Sequence, residues 1–133
     1  MIVLDASVVI AFLDPADPHH DAAASVIREG LAGGFVVHPL TLAEILVGGV
    51  RVGRANQLLA DLRSVGIVAI PSTVDEPLLL AELRSTTGLK MPDCCVLVIA
   101  LAESAHLATF DTRLARAARA LGVGVLPAAY GRA

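Results

Sequence analysis

The chain has 133 residues, 56% of them apolar, and a formal charge of −3 from 13 acidic and 10 basic side chains. A chain of this length reads as one domain that buries roughly two thirds of its unfolded surface, without needing disulfide staples. It also lacks a bilayer span of ~18 apolar residues, because the longest apolar run, CCVLVIALA at 94–102, ends at Glu103.

The segments alternate in chain order. Short runs rich in Val, Ile and Leu fall at 2–4, 35–38, 67–70, 107–109 and 124–126. They are apolar on both faces, as buried parallel strands are. Between them lie segments with helical character. Ser7 is the expected cap of VVIAFL, and Asp17-Pro18 opens a helix over 18–32 that stops at Gly33-Gly34. Pro39 opens 39–48, which Gly48-Gly49 ends, and Gly66 ends an amphipathic 51–65. Further helices are expected over 74–87, 92–104 and 111–121. The alternation implies a parallel sheet with helices on both faces. AAYGRA, at the end, is the one loose-looking stretch.

Four carboxylates punctuate this pattern: Asp5 after MIVL, Glu44 in TLAEIL, Asp93 after LKMP and Asp111 in LATFD. In an open α/β sheet, ligands bind beyond the carboxyl ends of the strands. Asp5 and Asp111 follow strands, and Glu44 and Asp93 sit in the first turns of helices, so all four can converge there. Taken singly, Asp111 reads equally as a helix cap, and Asp93 as an acid favoured by a helix N-terminus. Asp5 is harder to dismiss, since Ser7 is the better cap. Glu44, flanked by Leu40, Leu42, Ala43, Ile45 and Leu46, is expected to lack a solvated face and so to need a partner. Gathered together, four anions repel unless a cation lies among them. Hard divalent ions with oxygen ligands, Mg²⁺ or Mn²⁺, fit that role. Setting these four acids aside leaves nine against ten basic residues, so the bulk charge does not argue against a phosphodiester substrate.

Other residues have weaker readings. Lys90, Arg113 and Arg116 flank the acids and can hold phosphates, although a solvated basic stripe suits Arg116 better. Ser7 and Thr109 can orient a carboxylate or a phosphate oxygen; for Thr109 an ordinary strand position is as good a reading. His19 and His20 read as an exposed loop entering a helix, because hard ions prefer oxygen. Phe12, Phe35, Phe110 and Tyr130 are too few for a base-stacking platform. The adjacent Cys94 and Cys95 read as two small buried apolar residues in a reducing, cytoplasmic compartment, and MIVLDAS shows no signal-peptide pattern. A mean hydropathy of +0.73 points to surface covered by a partner. A homodimer using the Leu-rich 51–65 and 74–87 segments is expected.

The opening MIVLDASVVIAFL, then TLAEIL, then the K-x-P-D of LKMPDCCVLVIALA, then LATFDTRLARAA, resemble in order the PIN-domain ribonucleases, specifically VapC toxins of toxin-antitoxin modules. The resemblance spans essentially the whole chain. It implies an α/β/α sandwich around a five-stranded parallel sheet and a Mg²⁺- or Mn²⁺-dependent endoribonuclease. It also implies a small VapB-like antitoxin as partner, and an acidic quartet at Asp5, Glu44, Asp93 and Asp111 supported by Ser7 and Thr109. Cys94 and Cys95 stand where small or aliphatic residues are common in that family. Two alternatives remain: a binding module that keeps the fold without catalysis, and a receiver-like phosphoacceptor domain, which would want an acidic pair after the first strand.

Overall fold

A computed structural model describes residues 1–128. Tyr130 and most of the closing stretch lie outside the described residues. Five strands form one parallel sheet: β1 (Ile2–Leu4), β2 (Phe35–Val37), β3 (Ile67–Ala69), β4 (His106–Ala108) and β5 (Val125–Leu126). Around it lie α1 (Ala6–Leu13), α2 (His20–Gly30), α3 (Pro39–Arg51), α4 (Ala55–Ser64), α5 (Glu76–Thr87), α6 (Met91–Glu103) and α7 (Thr112–Ala120).

The strand order is β3-β2-β1-β4-β5. The chain builds outward from β1 on one side, then crosses to build outward on the other. The order therefore reverses between β1 and β4, which pair with Val3 opposite Leu107 and Leu4 opposite Ala108. That is where a doubly wound sheet opens its crevice. The receiver-like alternative fails here, because that fold has order 2-1-3-4-5.

Strand alternation sorts the apolar residues into two cores. Leu4, Phe35, Val37, Ile67 and Ala108 face α1 to α4, while Val3, Val36, Leu107 and Val125 face α6 and α7. The architecture is thus the expected α/β/α sandwich. α6 is the most deeply set helix, with every residue from Cys94 to Ala100 buried. Burial pushes both thiols up, Cys95 to about 11, so they behave as small apolar side chains. Not every strand is enclosed on both faces: β3 is an edge, and Val68 is 49% exposed.

The helix boundaries show what glycines do here. α3 does not stop at Gly48-Gly49. It runs on to Arg51, and the chain turns at Gly53, whose φ is +71°. A Cβ at Gly49 would lie 3.1 Å from the Cα of Ala55 and 3.2 Å from Leu58, so this glycine lets α4 approach α3. α4 accordingly begins at Ala55, not at 51. α2 ends at Gly30, where a Cβ would fall 2.6 Å from both the Ile2 and Phe35 side chains. Gly30→Ala should therefore overpack the joint between α2 and the sheet and cost about 1–3 kcal/mol. Urea unfolding should show a lowered midpoint with an unchanged slope.

Candidate active site

Asp5 leaves the end of β1 and starts α1. It is Asp5, not Ser7, that caps the helix: Oδ1 accepts the Ala6 amide at 2.9 Å. Ser7 lies inside the helix, where its hydroxyl donates to Asp5 Oδ2 at 2.8 Å. Thr109, fully buried just past β4, donates to the same oxygen at 2.8 Å. Both hydroxyls also accept: Ser7 Oγ takes the Phe110 amide at 3.2 Å, and Thr109 Oγ1 takes the Asp111 amide at 3.0 Å. Thr109 is thus more than an ordinary strand residue. It ties the end of β1 to the start of the Asp111 loop. A carboxylate offers about four lone-pair positions. Three hydrogen bonds from Ala6, Ser7 and Thr109 leave Asp5 one acceptor position, on Oδ1.

Asp111 caps α7, its Oδ1 accepting the amides of Arg113 at 2.9 Å and Leu114 at 3.0 Å. The capping role and a place in the cluster are therefore compatible. Asp93 sits in the first turn of α6, half-buried, with its amide bonded to the Lys90 carbonyl. No hydrogen bond from the described residues reaches its carboxyl.

Glu44 differs from expectation. It is exposed, on the outer face of α3, while Thr41, Ile45 and Gly49 form the buried face. Its apolar neighbours along the chain do not enclose it. It nevertheless lies close enough to act on Asp93.

The electrostatics bind the cluster. Burial is the largest cause raising the Asp93 carboxyl to about 6, followed by the charges of Asp5 and Asp111 and, more weakly, Glu44, with Lys90 opposing. Burial likewise raises Asp5 above the usual range, against the hydrogen bonds from Thr109, Ser7 and Ala6, with Asp111 adding repulsion. Asp93 therefore lies within electrostatic reach of Asp5, Asp111 and Glu44, and Asp5 within reach of Asp111, while Glu44 joins the group through Asp93 alone. Among the described residues, no group of three or more His, Cys, Asp or Glu side chains is placed to hold a metal ion. An oxygen-only, anion-crowded site of this openness fits Mg²⁺ or Mn²⁺, which take one or two carboxylates directly and keep several waters.

The basic residues separate. Lys90 is exposed beside Asp93, and Arg116 is exposed on α7. Arg113 is exposed but committed, donating from Nη2 to the Gly88 carbonyl at 3.1 Å. His19 and His20 are half-buried, not exposed. His19 stacks on Phe110 with centroids 4.5 Å apart, and His20 Nδ1 contacts the Ala11 carbonyl at 2.9 Å. The loop is thus pinned beside Asp111.

Sequence reasoning missed a buried pair, His38 and Glu76, hydrogen-bonded through Nε2 and Oε1. Its partners lie 38 residues apart. The one local hint was an acid opening a helix before Pro77, beside a histidine preceding Pro39.

The Asp93 shift has a definite sign. In the unfolded chain this carboxyl ionises at its ordinary 3.8, and in the folded chain at about 6, so the folded state holds the extra proton between those values. This group's contribution is most favourable below pH 3.8 and is lost as pH rises through about 6. Metal-free Asp93→Asn should therefore melt above wild type at pH 7.5, and the gap should close toward pH 4. Calorimetric melts across that range check this.

Three solved structures share this fold. A toxin-antitoxin complex from Klebsiella pneumoniae matches with TM-score 0.69 and 20% identity, over 84% of this chain and 88% of that one. FitAB bound to a DNA fragment matches with TM-score 0.70 and 22% identity, over 95% and 94%. VapBC2 from Rickettsia felis, bound to a DNA fragment from its promoter, matches with TM-score 0.67 and 18% identity, over 87% and 92%. No curated protein matches the sequence significantly. The PIN domain profile matches residues 2–120, so with the sheet order and the acids at its switch point, this chain belongs to the PIN-domain family.

Proposed function

We propose that this protein is a divalent-metal-dependent endoribonuclease and the toxin of a VapBC-type toxin-antitoxin pair. The observation that carries the reading is the convergence of Asp5 and Asp111 at the ends of β1 and β4, both bonded to Thr109, with Asp93 at the head of α6 crowded against them. Charges crowded at the functional edge of a sheet are costly unless a cation is to lie among them. Membership of a nuclease family supports the reading. So do the neighbours described as toxin-antitoxin complexes.

Asp5 and Asp93 would hold Mg²⁺ or Mn²⁺, which would supply polarisation of a phosphoryl oxygen and a more acidic water. The chain's own residues do the rest. Ser7, Thr109 and the Ala6 amide hold Asp5 so that its open Oδ1 position faces a ligand in one orientation. Asp93, whose carboxyl takes no hydrogen bond from the described residues, keeps its oxygens open at the head of α6. Asp111 holds its oxygen against two amides of α7, and Glu44 adds negative charge from the rim. Lys90, whose charge reaches Asp93, is the residue proposed to meet a flanking phosphate, with Arg116 of α7 the weaker candidate. RNA backbone and shape then govern recognition. Cleavage should require Mg²⁺ or Mn²⁺ and stop in excess EDTA. Asp5→Asn and Asp93→Asn should each lose about 100-fold or more in rate while remaining folded. Gel mapping of the cut ends on total RNA checks this, and wild-type cleavage in EDTA would overturn the metal dependence.

For the antitoxin, α1, α3 and α4 frame an apolar groove of about 450 Å³, lined by Ile10, Leu13, Ile45, Val52 and Leu58. Such a groove suits an amphipathic helix, and a basic side chain from the same partner suits the acids. The outward leucines of α5, Leu78 and Leu79, support a homodimer. Two free cysteines support action in the cytoplasm. Expression alone should arrest growth, and the product of an adjacent small gene should relieve the arrest. The isolated complex should bind Mn²⁺ more weakly than the free protein, because partner cation and metal compete for the same carboxylates. Calorimetry on both forms measures it; equal affinities would exclude inhibition by occupying the acids.

A further inference from the structure

α5 carries none of the four acids, and much of its surface faces outward, yet both of its ends make polar contacts that lead back to the acidic cluster. At its N-terminal end, Glu76 is buried at 8% exposure, and its partner His38 at 7%. The His38 tautomer follows from its neighbours. Nδ1 accepts the Leu40 amide at 3.0 Å, so Nε2 carries the proton and donates to Glu76. The same ring that caps α3, the helix of Glu44, is thereby locked by α5. Glu76 also opens its own helix, where free amides and the dipole favour a negative charge.

At the other end, Gly88 closes α5 with φ +70°. Two guanidinium groups grip the turn that follows. Arg84 donates to the Gly88 carbonyl at 3.1 Å and to the Leu89 carbonyl at 2.6 Å. Arg113 comes from α7 to the Gly88 carbonyl at 3.1 Å. The next residue, Lys90, offers the carbonyl that accepts the amides of Asp93 and Cys94 at 3.0 and 3.1 Å. Arg113 is also the residue whose amide Asp111 caps. One side chain thus spans from the Asp111 helix to the turn that delivers Asp93. α5 packs along α6, and the two are bent by 112° at this break.

We infer that α5 is a positioning strut for the acidic site: Glu76, through His38, sets the Glu44 helix, and Arg84 with Arg113 sets the turn before Asp93. Arg113 then acts through the backbone and not as a phosphate ligand. The inference rests on the nuclease reading for its kinetic consequence alone; its structural consequence is independent of it.

The two consequences call for two measurements on Arg113→Met and Glu76→Leu, with Glu76→Gln as the variant that keeps the accepting oxygen. Amide hydrogen exchange should quicken about tenfold or more at Asp93 and Cys94 in Arg113→Met, and at Leu40 and Leu42 in Glu76→Leu, with the central strands unchanged. Steady-state cleavage should lose about 10- to 100-fold in kcat in both, with KM and the salt dependence of RNA binding preserved. Glu76→Gln should return both readouts toward wild type. If Glu76→Leu does not fold, His38→Asn replaces it, since it keeps an acceptor for the Leu40 amide but cannot reach Glu76. Unchanged exchange at these amides overturns the strut. A raised KM with a shallower salt dependence in Arg113→Met overturns it for Arg113 and makes that residue a phosphate contact. Loss of cleavage in every form, wild type included, with the local exchange changes intact would sink the nuclease reading and leave the strut standing.

Discussion

The hydrogen bond from Thr109 to Asp5 holds the site together. It spans 104 residues, joins the end of β1 to the end of β4, and sits where the strand order reverses. Burial alone favours the neutral form of Asp5. Two hydroxyls and an amide pull the other way, and they also fix which way the carboxylate points. Because Thr109 Oγ1 accepts the Asp111 amide as well, the two acids are registered against each other through one side chain. The backbone bond from the Asp5 amide to the Ala108 carbonyl, at 3.0 Å, adds a second tie across the same gap.

The cluster's repulsion is carried by a rigid support. Asp93 stands at the head of α6, whose next seven residues are all buried. A helix so enclosed cannot rotate to relieve its first turn without disturbing the core on that face of the sheet. The crowding of the acids is therefore local and persistent. The same rigidity explains why the turn before α6 is gripped by two guanidinium groups. An error in that turn would be transmitted directly to Asp93.

The positions of Asp5, Asp93 and Asp111 were legible because each is tied to an element end, and element ends follow from hydrophobic period, proline and glycine. Strand identities came through for the same reason, with edges shifted by a residue at β2, β3, β4 and β5. Three misreadings came from chain neighbours and residue preferences, which do not say what each residue faces in the fold. Glu44 looked enclosed because apolar residues adjoin it, yet Leu40, Ala43, Glu44 and Val47 share the outer face. Gly48-Gly49 looked like a terminator, while Gly49 serves the approach of α4. Ser7 outranked Asp5 as a cap by residue preference, but its hydroxyl is directed to the Asp5 carboxylate. The His38–Glu76 pair and the grip on Gly88 were not legible at all, since nothing local marks a partner 38 or 25 residues away.

The exposed face of α3 bears on regulation under the proposed reading. Leu40 is 40% exposed and Val47 is 45% exposed, at four residues before and three after Glu44. Those spacings put all three on one stripe of the helix. Ile10 and Leu13 on α1 extend apolar surface toward the groove that α3 also lines. An acid in the middle of an uncovered apolar stripe is poorly placed for folding and well placed for a partner. A chain that buries Leu40 and Val47 must also desolvate Glu44, and it can do so favourably only by bringing a cation to it. Affinity for the apolar face and neutralisation of the site are then one event. A partner that covers the stripe without a basic side chain would leave Glu44 buried and unpaired, so this surface selects for an inhibitor that is both apolar and basic.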